Sequence, residues 1–118
     1  METINAYEFR GIDHCPIRNV ISVFSDKWSL LILTSFGNSG KDIEHYSDLQ
    51  RALPECSQKM LSQTLKKLCG AHLLHRNVLP EVPPRVEYSL TPLGQSLIPH
   101  INALVGWAVD HYSEVIGK

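Results

Sequence analysis

Residues 57–69 carry closely spaced side chains that donate hydrogen bonds or hold positive charge. On a helix with about 100° between successive residues, the apolar positions of this segment share one side: Leu61, Leu65 and Leu68. The opposite side has Lys59, Gln63 and Lys66, with Ser62 and Lys67 beside them, so this face holds only amides, hydroxyls and ammonium groups. Glutamine can hydrogen-bond an adenine edge, lysine a guanine edge, and serine and lysine also bind phosphate. This face is therefore suited to a DNA major groove, although an ordinary solvated helix surface has a similar composition.

The distribution of charge along the chain favours a surface that binds nucleic acid over an ordinary solvated helix surface. The 118 residues carry a formal net charge of −1, which taken alone argues against a polyanionic partner. Residues 51–85, however, contain six Lys and Arg against two Asp and Glu, a net charge of +4, and the rest of the chain carries −5. The near-neutral total hides a basic segment, and this segment surrounds the polar helix face.

Residues 47–69 predict two helices separated by a short turn. Ser47 is a suitable N-cap, Asp48 follows in the first turn, and Pro54 ends the first helix. Ser57 can cap the second helix, which ends at Gly70. Two helices joined by so short a turn form a candidate helix-turn-helix, which places its second helix in the major groove.

Helices are also predicted before this motif, and a hairpin after it. Pro16 opens a short amphipathic helix, and Ser25 and Asp26 can cap a more apolar helix that follows. Residues 37–44 are polar and Gly-rich and indicate a loop. Residues 74–79 and 85–90 predict a β-hairpin with a stiff, Pro-rich tip between them.

A last helix is predicted from Thr91 and Pro92 to about residue 116, with a bend at Pro99. Its apolar residues form one stripe and also cover a second flank. The stripe contains Leu97, Ile101, Leu104 and Ala108, and the flank contains Ile98, Val105, Trp107, Val109 and Tyr112. One small domain rarely covers a helix on both flanks, so we expect a second copy of the chain to cover the remainder.

Composition predicts one ordinary soluble domain over residues 1–118. The chain is 43% hydrophobic and 19% charged, and its N-terminal residues lack the basic and apolar regions of a secretory signal. Three cysteines without a disulfide spacing fit a reducing compartment, so we expect a cytoplasmic protein.

No catalytic or cofactor motif is found in the sequence, and we expect neither an enzyme nor a bound cofactor. Cys69, His72 and His75 form the nearest approach to a metal-ligand cluster. Their spacing does not match a defined zinc site and crosses a predicted helix-to-strand boundary, so no metal site is expected.

Most of the chain resembles the HxlR-type winged helix-turn-helix transcriptional regulators of bacteria. The resemblance runs from Cys15 to about Trp107, and the wing segment is its most specific part. Its motifs are Cys15-Pro16, Asp26 to Leu33, Leu49 to Pro54, Ser57 to Leu61, and Pro80 to Gly94. The sequence departs from the family at Cys69 to His72, where the family commonly has acidic residues.

The resemblance implies a mainly α fold with a small β-hairpin wing, and a homodimer joined through terminal helices, here residues 91–116. Such a dimer binds a pseudo-palindromic operator in double-stranded DNA. We expect the regulator to act as a repressor. The recognition helix is Ser57 to Cys69, and Arg85 belongs to the wing. The residues expected to contact DNA are Ser57, Gln58, Lys59, Ser62, Gln63, Lys66, Lys67 and Arg85.

Cys15 is a candidate sensor of oxidants or electrophiles, as the resemblance implies for a cysteine at this place in some members. A thiol at a helix N-terminus gains thiolate character from the helix dipole, which favours such chemistry. The alternative is a small buried hydrophobic side chain.

Two alternatives to a DNA-binding regulator of this kind remain open at the level of sequence. The winged-helix scaffold could serve protein interaction without DNA, although the acid-free helix face argues against this. A regulator of the same fold could also bind a small ligand in an aromatic-lined crevice of the dimer.

Overall fold

The computed structural model describes residues 16–39 and 42–117, which form six helices and a small three-stranded sheet. In chain order the elements are α1 (Pro16–Phe24), α2 (Lys27–Ser39), β1 (Ile43–His45), α3 (Tyr46–Ala52), α4 (Gln58–Gly70), β2 (Leu74–Leu79), β3 (Arg85–Leu90), α5 (Pro92–Asp110) and α6 (Tyr112–Ile116). The short α3–α4 connection followed by the β2–β3 hairpin is a winged helix-turn-helix, as the sequence predicted.

The sheet has three antiparallel strands in the order β1-β3-β2. The β2–β3 register pairs Leu74 with Leu90 and Leu79 with Arg85, so the hairpin has the bounds that the sequence predicted. β1 adds to the other side of β3, where Glu44 lies opposite Tyr88.

The core lies where α2, α3 and α4 meet the sheet and α5. Its fully buried side chains come from the apolar side of each helix: Ile32, Leu33, Leu49, Leu61, Leu65 and Leu68. The three α4 leucines are those that the 100° pattern placed together. Burying this side leaves the polar side of α4 facing outward.

The start of α5 is joined closely to the end of α4 and the base of the wing. His72 ends the α4 region in the left-handed conformation, with φ of 64°. Thr91 caps α5 by accepting a hydrogen bond from the Gly94 N–H at 3.0 Å, and its hydroxyl donates to the His72 carbonyl at 2.6 Å. Its N–H donates to the Leu73 carbonyl at 3.1 Å. Capping and tertiary contact thus use the same residue.

Three local predictions were wrong. Within the loop predicted at residues 37–44, residues 37–39 belong to the last turn of α2, and Ile43 and Glu44 belong to β1. β1 is formed by pairing with β3 and not by a pattern of its own. α3 begins at Tyr46 directly after β1, with His45 and not Ser47 at the N-cap. The last helix is interrupted at His111, where α5 ends and α6 begins.

The predicted division of α5 into a stripe and a flank also differs from the structure. Ile98 and Val105 pack against the core together with Leu97 and Ile101. Leu104 and Trp107 are more than half exposed. The buried side of α5 therefore lies between the two predicted apolar surfaces.

No single helix among the described residues is long and apolar enough to cross a membrane. α1 and α2 pass such a test of length and composition only as a pair that is bent by 72°.

Candidate nucleic-acid interface

The recognition helix α4 is fixed at its start by Ser57. The Ser57 hydroxyl accepts a hydrogen bond from the Met60 N–H at 3.0 Å, which satisfies one of the free donors of the first turn. Further along, the Thr64 hydroxyl donates to the Met60 carbonyl at 2.7 Å. Ser57 thus has a structural role, and its predicted contact with DNA stays a prediction.

The outward side of α4 contains five of the residues expected to contact DNA. All five side chains are exposed in the chain: Gln58, Lys59, Ser62, Gln63 and Lys66. α4 has no Asp or Glu, so this surface repels no phosphate. The structure brings these residues together, and their roles in DNA binding remain a prediction.

Lys67 lies on a different side of α4 and forms an ion pair with Asp26. Asp26 also caps α2, because its carboxylate accepts a hydrogen bond from the Ser29 N–H at 3.2 Å. Burial raises the pKa of Asp26, but hydrogen bonds from Lys67 and Ser29 outweigh this effect and hold the pKa below its ordinary value. Lys67 is therefore partly neutralised, in contrast to Lys66 beside it in the sequence.

Tyr46 at the start of α3 contacts the recognition helix directly. Its hydroxyl lies 3.1 Å from the Ser62 hydroxyl and donates to the Gln58 carbonyl at 3.4 Å. Both partners belong to the side of α4 expected to face DNA. Sequence reasoning missed Tyr46, because it lies 12 residues before Gln58 and no local spacing connects the two.

A groove of about 560 Å³ lies between α4 and the sheet, and we call it the α4–sheet groove. Its polar wall residues are Tyr46, Gln58, Ser62, Lys66 and Arg76, and its other lining residues are Cys69, Val86 and Tyr88. Three of them, Gln58, Ser62 and Lys66, also belong to the outward side of α4. The groove is thus continuous with the predicted reading surface.

Arg76 and Tyr88 lie directly opposite each other in the β2–β3 register, and both line the α4–sheet groove. Tyr88 is 6% exposed, and burial raises the pKa of its hydroxyl, although Arg76 opposes this effect. The hydroxyl stays protonated at neutral pH and gives Arg76 no negative charge. Arg76 belongs to the basic segment of residues 51–85, but no local motif distinguishes it as a contact residue. Its strand register opposite the buried Tyr88 is the signal that would have found it.

Arg85 begins β3 at the tip end of the wing and is exposed. It donates a hydrogen bond to His45 Nε2 at 2.9 Å and lies 3.9 Å from a carboxylate oxygen of Glu81. His45 also lies 3.3 Å from Glu87 and 3.4 Å from Asp48. The wing arginine is thus connected to β1 and α3, and its contact with DNA stays a prediction.

Cys15 lies outside the described residues. Cys56 is buried in the core, and Cys69 is half-buried in the α4–sheet groove. Burial raises the pKa of both thiols above the ordinary cysteine value. Cys56 and Cys69 therefore have little thiolate character at neutral pH. Among the described residues, no three or more His, Cys, Asp or Glu side chains form a cluster that could hold a metal ion.

Known proteins with the same architecture share sequence with this chain over most of its length. A transcriptional regulator of the helix-turn-helix type from Methanothermobacter thermautotrophicus, itself uncharacterised, is 40% identical over 93 residues, which is 79% of this chain and 69% of the relative. The solved structure of the putative regulator ytfH from Salmonella typhimurium is 36% identical, with a TM-score of 0.78 over 89% of this chain and 91% of that one. The reduced form of the redox regulator HypR is 26% identical, with a TM-score of 0.79 over 87% of this chain and 99% of that one.

The model of the HxlR-like helix-turn-helix family matches residues 23–115. This match includes α2 to α5, the helix-turn-helix and the wing. The relatives described above are named as regulators of transcription, which agrees with the outward polar side of α4 and with the wing beside it. The chain belongs to the HxlR-like helix-turn-helix family of transcriptional regulators.

Proposed function

We propose that the protein is a homodimeric repressor that binds a pseudo-palindromic operator and releases it when Cys15 is oxidised or alkylated. The exposed, acid-free side of α4 is the observation that carries the DNA-binding part of this proposal. In it, Lys59 and Lys66 bind phosphates, whereas Gln58, Ser62 and Gln63 read base edges. Arg85 of the wing contacts the adjacent backbone.

An outer apolar surface supports the dimer. It consists of exposed side chains on the terminal helices: Val20 and Ile21 of α1, Leu93, Leu104, Trp107 and Val109 of α5, and Tyr112, Val115 and Ile116 of α6. Monomeric proteins rarely leave so many large apolar side chains on neighbouring helices uncovered. A second copy related by a two-fold axis covers the same surface on both chains and presents two recognition helices to two half-sites.

The position of Cys15 and one solved neighbour support the redox part. α1 begins at Pro16, the residue that follows Cys15 in the sequence. A helix N-terminus favours the thiolate, the form that oxidants and electrophiles attack. The neighbour HypR is described as a redox regulator and has been solved in both reduced and oxidised forms.

A genome-wide binding map made with and without the thiol oxidant diamide tests this proposal. We expect discrete binding sites with two-fold symmetry, and lower occupancy after diamide treatment. The variant Cys15→Ser should keep its binding sites and lose the response, whereas the control Cys56→Ser should respond like the unaltered protein. Transcripts adjoining the sites should rise when the gene is deleted.

A Cys15→Ser protein that still releases DNA on oxidation would remove Cys15 from the mechanism. Absence of binding sites under both conditions would instead favour the protein-interaction alternative.

A further inference from the structure

The positive charges of residues 51–85 are not equally available to a ligand. Within the part of the chain that the structure describes, Arg51 pairs with Asp48, Lys67 with Asp26, and Arg85 lies near Glu81. The remaining three basic residues, Lys59, Lys66 and Arg76, have no carboxylate within 4 Å among the described residues. Lys59 and Lys66 lie on α4, and Arg76 lines the α4–sheet groove together with Lys66.

We infer that the α4–sheet groove binds a backbone phosphate of DNA, and that Arg76 and Lys66 hold this phosphate between them. This inference rests on the proposed function and adds to it a contact at a strand of the wing. Arg76 was not among the residues that the sequence selected.

The position of the groove follows from how a recognition helix lies in DNA. A helix in the major groove has a sugar-phosphate backbone on each side of it, because the groove is only about 12 Å wide. The sheet lies beside α4, so the backbone on that side passes over the α4–sheet groove. Gln58 and Ser62 line the groove and also belong to the reading side, which places bases and backbone over adjoining surfaces.

The lining of the groove fits one nucleotide of backbone. Arg76 and Lys66 supply charge and N–H donors, and the Ser62 hydroxyl lies on the same wall of the groove. Val86 and the ring of Tyr88 offer an apolar surface against which a deoxyribose can pack. No Asp or Glu lines the groove. A phosphate in this position would therefore meet only attractive or neutral groups.

Tyr88 lies directly opposite Arg76 in the hairpin, and both side chains line the groove. The guanidinium has five N–H donors, so it can contact the Tyr88 hydroxyl and a phosphate at the same time. Because the Tyr88 hydroxyl is neutral, it does not reduce the charge of Arg76. Lysine at this position would keep the charge but lose the several donors that the planar guanidinium presents at once.

The test measures the affinity for labelled duplexes as a function of salt concentration. One duplex comes from the strongest site of the binding map, and the other has a random sequence. For Arg76→Ala we expect about tenfold weaker binding to both duplexes, because a backbone contact is blind to sequence. The slope of log Kobs against log salt should fall in magnitude by about 0.9 for each Arg76 in the complex. The affinity of Arg76→Lys should lie between the affinities of the unaltered protein and Arg76→Ala.

His75→Ala is the matched control, because His75 is the exposed neighbour of Arg76 on the opposite face of β2. It should bind with unchanged slope. The double variant Arg76→Ala with His75→Arg keeps the net charge but moves it to the other face, and it should bind like Arg76→Ala. Full recovery in this double variant would show that only net charge matters and would overturn the inference.

Two further outcomes separate this inference from the proposed function. If Lys59→Ala loses affinity but Arg76→Ala binds with the original slope, the groove assignment is wrong and the proposed function stands. If the unaltered protein binds neither duplex, both are wrong. If the groove binds free phosphate, inorganic phosphate should raise the melting temperature of the unaltered protein but not that of Arg76→Ala. If the salt slope of DNA binding is then unchanged, the inference is again overturned.

Discussion

Lys66 and Lys67 are neighbours in the sequence with different electrostatic surroundings. Lys66 lines the α4–sheet groove and has no carboxylate within 4 Å among the described residues, whereas Lys67 pairs with Asp26. The pKa of Asp26 lies below its ordinary value, so ionised Asp26 stabilises the folded chain. This stabilisation is fully present above the pKa of unfolded Asp26, and it is lost as the pH falls through the lower, folded pKa.

Replacing Lys67 should therefore lower stability in a pH-dependent way. Lys67→Met should reduce the free energy of unfolding by about 0.2–1 kcal/mol at neutral pH, the usual range for an exposed pair. The difference from the unaltered protein should disappear as Asp26 becomes protonated. Urea unfolding at a series of pH values from about 7 to about 2 measures this.

Lys66→Met serves as the control for Lys67→Met, because it removes the same charge from the same helix turn. Its effect on unfolding should not depend on Asp26 and should stay nearly constant with pH. Equal pH profiles for the two variants would contradict the assigned role of the Asp26–Lys67 pair.

At the scale of single residues, the sequence predicted which α4 side chains are exposed but not which are paired. Exposure follows from the 100° period and the three leucines, all within 13 residues. The partner of Lys67 is 41 residues away, and Tyr46 reaches Ser62 over 16 residues. Such contacts depend on how helices cross, which no spacing within α4 records.

At the scale of the elements, the first turn of α5 contains the described glycine that leaves the least room for a side chain. A Cβ atom added to Gly94 would overlap the Leu73 carbonyl oxygen, which is backbone and cannot turn away. Gly106 lies further along the same helix and has nothing within 4 Å of the corresponding position. The two glycines therefore offer a comparison within one element.

Alanine substitutions should act in opposite directions at these two sites. Gly94→Ala should destabilise by about 1–3 kcal/mol, because the start of α5 must move away from the base of the wing. Gly106→Ala should stabilise by up to about 1 kcal/mol, the gain in helix propensity. Thermal and urea unfolding of both variants measure these changes. Destabilisation by Gly106→Ala equal to that of Gly94→Ala would show that the contact with Leu73 is not the cause.

The elements that the sequence predicted well are those whose signals are local. The hairpin has Pro-rich residues between two short apolar segments, and Thr91-Pro92 marks the start of α5. β1 has only three residues and exists because Ile43 to His45 pair with β3, more than 40 residues later. In α2, the missing side chain of Gly37 leaves room for Asn102, whose side-chain oxygen would lie 2.9 Å from an added Cβ.

For the whole molecule, the outer apolar surface determines the expected state of association. Trp107 is 54% exposed and stacks on His111 with ring centroids 4.7 Å apart. Between α1 and α5 this surface continues into an apolar groove of about 600 Å³ that includes Val20, Phe24 and Leu93. A partner helix could enter such a groove, and exposed tryptophans of this kind often dominate the energy of an interface.

Trp107→Glu should therefore dissociate the proposed dimer. We expect the dimer dissociation constant to rise by at least about thirtyfold, the equivalent of a loss of about 2 kcal/mol. Sedimentation equilibrium over a range of protein concentrations measures it. Gln95→Glu, which adds the same charge to an exposed position of α5, should leave the constant unchanged. A protein that is monomeric before any substitution would remove the dimer from the proposed function.

The hydrogen bonds from Thr91 to the His72 and Leu73 carbonyls fix the start of α5 relative to the end of α4 in each protomer of the proposed dimer. Because α5 starts directly after the backbone that ends the recognition-helix region, a dimer built on α5 has no flexible joint at Thr91 between its contact surface and its two α4 helices. An operator whose half-sites are one base pair further apart shifts one of them by about 3.4 Å along the duplex and turns it by about a tenth of a helical turn. The hydrogen-bonded backbone at Thr91 does not allow α4 to move relative to α5 and follow that change. Spacing between half-sites would then be selected as strictly as the bases within them.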